Sequence, residues 1–66
     1  MAVARVTEIR ASSTEGFQDA VVEGLRRATK TLRGITGVEI LDKRVKVDRG
    51  KIVEYRVDMK ITFLLD

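Results

Sequence analysis

The chain has 66 residues, with 13 Lys or Arg against 10 Asp or Glu, a formal net charge of +3, and no Cys, His or Pro. A domain of about 60 residues removes only about 60% of its unfolded surface from water, and without Cys or His it has no disulfide staple and no Cys/His zinc site, which leaves oligomerisation to stabilise a small core. Basic and acidic residues are interspersed along the whole chain, a pattern that describes a solvated surface rather than an electrostatic footprint for nucleic acid.

The opening Met1-Ala2-Val3-Ala4-Arg5 has no apolar run ending in a small-residue cleavage site, and no segment reaches bilayer-spanning length, so a soluble, cytoplasmic protein is expected. Val3, Val6 and Ile9 among polar neighbours predict a strand over Val3–Arg10. Ser12 followed by Glu15 has the spacing of a capping box. Phe17, Ala20, Val21, Leu25, Ala28 and Leu32 then recur at three- and four-residue steps, which predicts one amphipathic helix of about nineteen residues. Acidic Glu15, Asp19 and Glu23 precede basic Arg26, Arg27, Lys30 and Arg33, matching the helix dipole, and Gly34 stands where a left-handed residue would end the helix.

Two apolar-rich runs, Gly37–Asp48 and Lys51–Leu65, flank Arg49-Gly50 and predict a β-hairpin. The second run alternates, with Val53, Tyr55, Val57, Met59, Ile61, Phe63 and Leu65 on one face. Pairing Asp48 with Lys51 sets Ile40 against Met59, Val38 against Ile61 and Glu39 against Lys60. The apolar residues of the first strand change face between Leu41 and Val45, so a bulge or bend is expected there. A final strand of about fourteen residues would extend roughly 45 Å, and a helix of about nineteen residues covers only about 30 Å. One helix therefore leaves apolar hairpin surface uncovered, and further copies of the chain are the expected cover.

Several stretches carry a resemblance over essentially the whole chain: Glu8-Ile9, Ala11-Ser12-Ser13-Thr14-Glu15-Gly16-Phe17, Ala28 and Leu32, Val38-Glu39-Ile40, Glu54-Tyr55-Arg56-Val57, and Ile61-Thr62-Phe63. In order and spacing they resemble the dodecin family. The resemblance implies one α+β domain over residues 1–66, β-α-β-β, with a three-stranded antiparallel sheet wrapped around one helix. It also implies a hollow homododecamer that stores or sequesters flavin, FMN or riboflavin. The family's flavin-stacking tryptophan corresponds to Gly37, two residues before the hairpin glutamate Glu39, and its flavin-contacting glutamine to Arg56. Glycine offers no aromatic face to an isoalloxazine ring, so weak or absent flavin binding is expected. Gly37, Arg56 and Glu39 are the candidate ligand-binding residues.

Ser12 and Ser13 have no histidine to act as base and fit a capping role, so a binding protein rather than an enzyme is expected. Glu54 and Asp58 sit two apart on one strand face among Arg56 and Lys60, which describes a charge-interleaved face or, across a symmetry axis, ligands for a metal cation. Arg26, Arg27, Lys30 and Arg33 form a basic stripe, with Glu23 four residues before Arg27 to pair with it. Tyr55 reads as a packing residue, and Gly37 as either a bulge or a close approach by a backbone or ligand. By register, Gly37 and Arg56 share the sheet face opposite Val57, Met59 and Ile61, where Arg56 can donate to an anionic or carbonyl group. Two other classes stay open: a structural shell holding a cation without an organic ligand, and a small basic nucleic-acid-binding module.

Overall fold

A computed structural model describes residues 3–65; Met1 and Ala2, the start of the segment read for a leader, and Asp66 lie outside the described residues. The chain runs β1 (Val3–Ser13), α1 (Phe17–Ala28), β2 (Ile35–Asp48) and β3 (Lys51–Leu65). All strand pairs are antiparallel, in the order β1-β3-β2. The observed architecture is thus the expected β-α-β-β, three-stranded and α+β. Among the described residues no helix is long and apolar enough to cross a membrane.

The alternation of β3 makes it the central strand, because its odd-numbered residues supply the core. Val57, Met59 and Ile61 are fully buried beneath α1, together with Ala20. Burying each of those three side chains contributes about 1.5–3 kcal/mol. The helix lies across β1 and β3, with Ile9, Ala11, Phe17, Val21 and Val38 closing the cluster. Tyr55 packs edge-on to Phe17, with centroids 5.1 Å apart at 77°, as a packing residue should. Lys43 occupies the core-facing register position opposite Val57, where its Nζ lies 5.5 Å over the Phe17 ring. A cation can occupy that place because the aromatic face attracts it while the alkyl stem covers apolar surface.

Several expectations are corrected. β1 continues three residues beyond Arg10, pairing Ala11, Ser12 and Ser13 with Val57, Arg56 and Tyr55, because the long β3 still offers ladder partners there. Ser12 is therefore a strand residue and forms no capping box. The N-cap is Gly16, without a side-chain cap. Ser13 does the local work instead: its Oγ accepts the Glu15 N–H at 2.9 Å and donates to Asp19 Oδ2 at 2.6 Å, tying the end of β1 to the first helical turn. The helix has 12 residues and ends at Ala28, well before Gly34. The Thr29 hydroxyl donates to the Arg26 carbonyl at 2.7 Å, a local bond that competes with helix propagation, and tight turns follow as Lys30 and Thr31 donate to the Arg27 and Ala28 carbonyls. Gly34 is left-handed (φ 71°), but it turns the chain into β2, where its carbonyl accepts the Leu64 N–H at 2.9 Å.

The hairpin register holds at both ends and slips by one in the middle. Asp48 opposes Lys51, and Val38, Glu39 and Ile40 oppose Ile61, Lys60 and Met59. Leu41 is left over on β2 at the expected bend, and Val53 on β3 compensates, so Asp42–Lys46 oppose Asp58–Glu54. A third irregularity between Ile35 and Gly37 leaves Thr36 out of the ladder. Arg49 and Gly50 turn the hairpin with φ of 52° and 78°, the doubly left-handed pattern of a two-residue type I′ turn.

Fifteen residues of β3 extend about 50 Å, which matches the 52 Å long axis of the molecule. The 12 residues of α1 cover only about 18 Å. Beyond the helix the hairpin projects as an arm whose apolar residues stay open: Val45 is 40% exposed, Val47 57%, Ile52 50% and Val53 42%.

Candidate functional site

The sheet face turned away from α1 is built of even-numbered β3 residues and their cross-strand partners. Because directly opposed residues share a face, the pairing sorts it into rows: Val6–Thr62–Gly37, Glu8–Lys60–Glu39, Arg10–Asp58–Asp42, Ser12–Arg56–Arg44, and Glu54–Lys46. Successive rows are two residues apart, about 6.6 Å.

Ion pairs cross and follow this lattice. Arg10 Nε donates to Asp58 Oδ1 at 2.7 Å, with Nη2 reaching Oδ2 at 3.4 Å. Arg44 Nε donates to Asp42 Oδ2 at 2.8 Å, and Arg56 Nε donates to Glu54 Oε1. The hydrogen bond from Arg10, reinforced by its charge, holds the Asp58 carboxyl below the usual range even though partial burial opposes ionisation. Glu54 is lowered likewise, first by the hydrogen bond from Arg56, with Lys46 adding attraction. Asp58 and Glu54 thus remain ionised near neutral pH, each beside its own arginine. Among the described residues no group of three or more acidic side chains is placed to hold a metal ion. Glu54 and Asp58 in particular face separate arginines.

Gly37, Glu39 and Arg56 lie on this one face, but the fold does not bring them into one contact within a single chain. Gly37 opposes Thr62 and Glu39 opposes Lys60, so Gly37 is about 20 Å from Arg56 along the strands. A Cβ added at Gly37 would meet nothing within 4 Å, and the residue follows the bulge at Thr36. Of its two readings, the bulge is present, and no backbone of the same chain approaches closely. An open groove of about 790 Å³ lies elsewhere, between β1 and the end of α1, bordered by Ile9, Ala11, Arg27 and Lys30. Arg26, from the expected basic stripe, is paired with Glu23 at 2.5 Å, so Glu23 serves Arg26 three residues on rather than Arg27.

Two positions escaped the pattern reading. Gly24 is buried between Ala20 and Ala28 on the helix face that meets the sheet; its signal was the four-residue spacing of small residues, which a search for large apolar side chains passes over. Arg44, directly across from Arg56, became placeable only once the bulge at Leu41 fixed the register.

Comparison with known proteins agrees with this geometry. The family model described as Dodecin matches residues 3–66. The dodecin of Thermus thermophilus is 31% identical over 64 residues, spanning 97% of this chain and 93% of that protein. The solved dodecin of Streptomyces davaonensis superposes with a TM-score of 0.93 at 35% identity, covering 98% of this chain and 96% of its own. Calcium dodecin of Mycobacterium tuberculosis, a calcium-chelating antigen, superposes with a TM-score of 0.84 at 26% identity, covering 97% and 91%. With its β-α-β-β order, its long bulged hairpin and a family match over nearly its full length, the chain belongs to the dodecin family.

Proposed function

We propose that the chain is a cytoplasmic, non-enzymatic dodecin that works as a closed homo-oligomer, a hollow dodecamer, binding and sequestering a small ligand, with weak or absent affinity for flavin. The observation that carries this reading is the open apolar arm of the hairpin, with Val47 and Ile52 at least half exposed in the isolated chain. Such a surface in a chain of this size calls for a partner, and identical copies supply one. Family membership supports the same assembly.

The ligand reading follows from the outer face. Gly37, Arg56 and Glu39 share that face but are too far apart to grip one small molecule, so a pocket that uses them is assembled from more than one chain. Open space where the resemblance implies tryptophan removes the stacking partner of a flavin ring, and Arg56 supplies a charged donor in place of a neutral amide. Sedimentation of the purified protein combined with riboflavin fluorescence titration tests both parts. The expected result is a discrete species of about twelve subunits with little riboflavin quenching at micromolar protein. A well-folded monomer at that concentration would refute the assembly.

A second reading, a shell that holds a cation without an organic ligand, is favoured by the likeness to calcium dodecin. It requires carboxylates from neighbouring subunits to converge, and a melting temperature that rises with calcium and falls with chelator would select it.

A further inference from the structure

Acidic and basic residues are interspersed along the sequence, but the fold sorts them by side. Arg26, Arg27, Lys30 and Arg33 are carried by the end of α1 and the turns after it, and all four are exposed. Arg5 joins them, because it opposes Phe63, as Ile35 does, on the helix side of the sheet. The chain between Arg33 and Ile35 is fixed to that end of β3, since the Gly34 carbonyl accepts the Leu64 N–H at 2.9 Å. Lys30 donates its N–H to the Arg27 carbonyl at 3.2 Å, a tight turn that sets residues three apart above one another. Glu23 alone supplies a carboxylate to this stretch, and Arg26 holds it at 2.5 Å. Among the described residues Arg5, Arg27, Lys30 and Arg33 form no ion pair. Asp19 lies eight residues before Arg27, about 12 Å along the helix, beyond the screening length of about 8 Å at physiological salt, and Ser13 engages its carboxyl at 2.6 Å. The helix dipole offsets only about half a charge at this terminus. An excess of roughly three positive charges therefore remains on the basic end.

A surface of this kind selects its partner by charge. α1 turns Ala20, Gly24 and Ala28 into the sheet, so it has no apolar stripe left to sink into a bilayer, and Val22 is the exposed large apolar residue of the helix. Protein docking depends on buried apolar or aromatic anchors, which this end does not offer. Phe17 and Tyr55 are packed against each other, so they provide no platform on which unpaired bases could stack. A duplex backbone needs none of these features: it presents one negative charge per about 1.7 Å and is held by cations alone. We infer that the basic end of α1, with Arg27, Lys30 and Arg33 as its free cations, binds the phosphate backbone of double-stranded nucleic acid without reading its sequence. The inference goes beyond the ligand-sequestering reading and is independent of what the opposite sheet face holds; assembly repeats the patch and adds avidity.

Fluorescence anisotropy of a labelled DNA duplex titrated with the purified protein is the direct test. With three phosphates neutralised, affinity should fall at least about fortyfold between about 50 and 200 mM salt, and a duplex of different sequence should give the same curve. Arg27→Gln combined with Lys30→Gln should weaken binding at least about tenfold at low salt and make the salt slope shallower by about two, with the native mass unchanged. Lys60→Gln, which removes one charge from the opposite sheet face, should leave the slope as it is. If the double variant fails to fold or assemble, the slope and sequence independence of the unmodified protein, set against Lys60→Gln, still decide the matter. Absence of duplex binding at about 50 mM salt overturns the inference, as does binding that salt does not weaken or a slope that drops in Lys60→Gln. Adsorption to vesicles of anionic phospholipid without duplex binding assigns the patch to a lipid surface, and tighter binding of a single strand than of the duplex assigns it to base stacking; either result refutes the duplex backbone as the partner. None of these outcomes alters the riboflavin and sedimentation tests of the ligand and assembly readings.

Discussion

Gly24 offers a test of the helix–sheet contact that depends on sign. At an open helix position, Gly→Ala stabilises by about 1 kcal/mol, because alanine loses less backbone freedom on folding. At Gly24 an added Cβ would stand 2.5 Å from Met59 Cε and 2.9 Å from Ala11 Cβ, where carbon atoms ordinarily rest about 3.5–4.0 Å apart. The Met59 methyl ends a flexible side chain and can rotate away. Ala11 Cβ is fixed to the β1 backbone, so relieving that contact requires the helix to lift by about 0.6 Å or more. A lift of that size loosens the contacts over Val57, Met59 and Ile61, all fully buried. Overpacking of this kind costs about 1–3 kcal/mol, which cancels or exceeds the propensity gain. Gly24→Ala is therefore expected to be neutral or destabilising by up to about 2 kcal/mol, and Gly24→Val, with two more methyls and little propensity gain, more so. Guanidinium denaturation at fixed chain concentration measures this, and a double-mutant cycle with Ala11→Gly isolates the contact. An increase in stability of the full 1 kcal/mol for Gly24→Ala, with no coupling to position 11, would refute the tight approach.

Two further outcomes follow from other parts of the fold. Arg49 is a non-glycine residue held at φ 52°, a conformation that costs most side chains about 1 kcal/mol and that asparagine tolerates, so Arg49→Asn should raise the unfolding free energy by an amount of that order, read as a higher denaturation midpoint at unchanged slope. The Asp58 and Glu54 carboxyls are held below the usual carboxylate range by Arg10 and Arg56. Their ion pairs thus favour the folded chain above about pH 4, and that contribution fades as pH falls through the lowered values. Carbon-detected NMR titration should show both carboxyls titrating low, with Asp58 returning towards its ordinary value in Arg10→Ala and Glu54 in Arg56→Gln.

Local rules that agree with one another made most of this fold readable from the residues. The alternation of β3, the Arg49-Gly50 turn and the face change after Leu41 pointed to the hairpin, its register at both ends and its bend. The helix was harder to delimit, because the apolar spacing runs on to Leu32 while the Thr29 hydroxyl diverts a carbonyl near the true end. Ser12 looked like a cap because cap and strand residues are both short and polar; only the ladder to β3 shows that Ser13 is the residue that meets the helix. At the candidate site, parity along β3 placed Gly37, Glu39 and Arg56 on one face. Their separation, and the neighbour Arg44, depended on bulges whose positions a regular alternation does not reveal.

The division of charge between the two sides of the sheet bears on how copies can assemble. The outer rows carry five cations, Arg10, Arg44, Lys46, Arg56 and Lys60, and five carboxylates, Glu8, Glu39, Asp42, Glu54 and Asp58, so that face is neutral as a whole. The net charge of +3 therefore resides elsewhere, chiefly on Arg26, Arg27, Lys30 and Arg33, in the second half of α1 and the turns after it. In a closed shell, a neutral face can line the interior without the self-repulsion that many copies of a positive surface would suffer, while the basic helix side stays in water, where salt screens it. That neutrality is a sum of opposite local excesses: the Ser12–Arg56–Arg44 row carries two positive charges, and the Arg10–Asp58–Asp42 and Glu8–Lys60–Glu39 rows one negative charge each, all within about 13 Å along the strands.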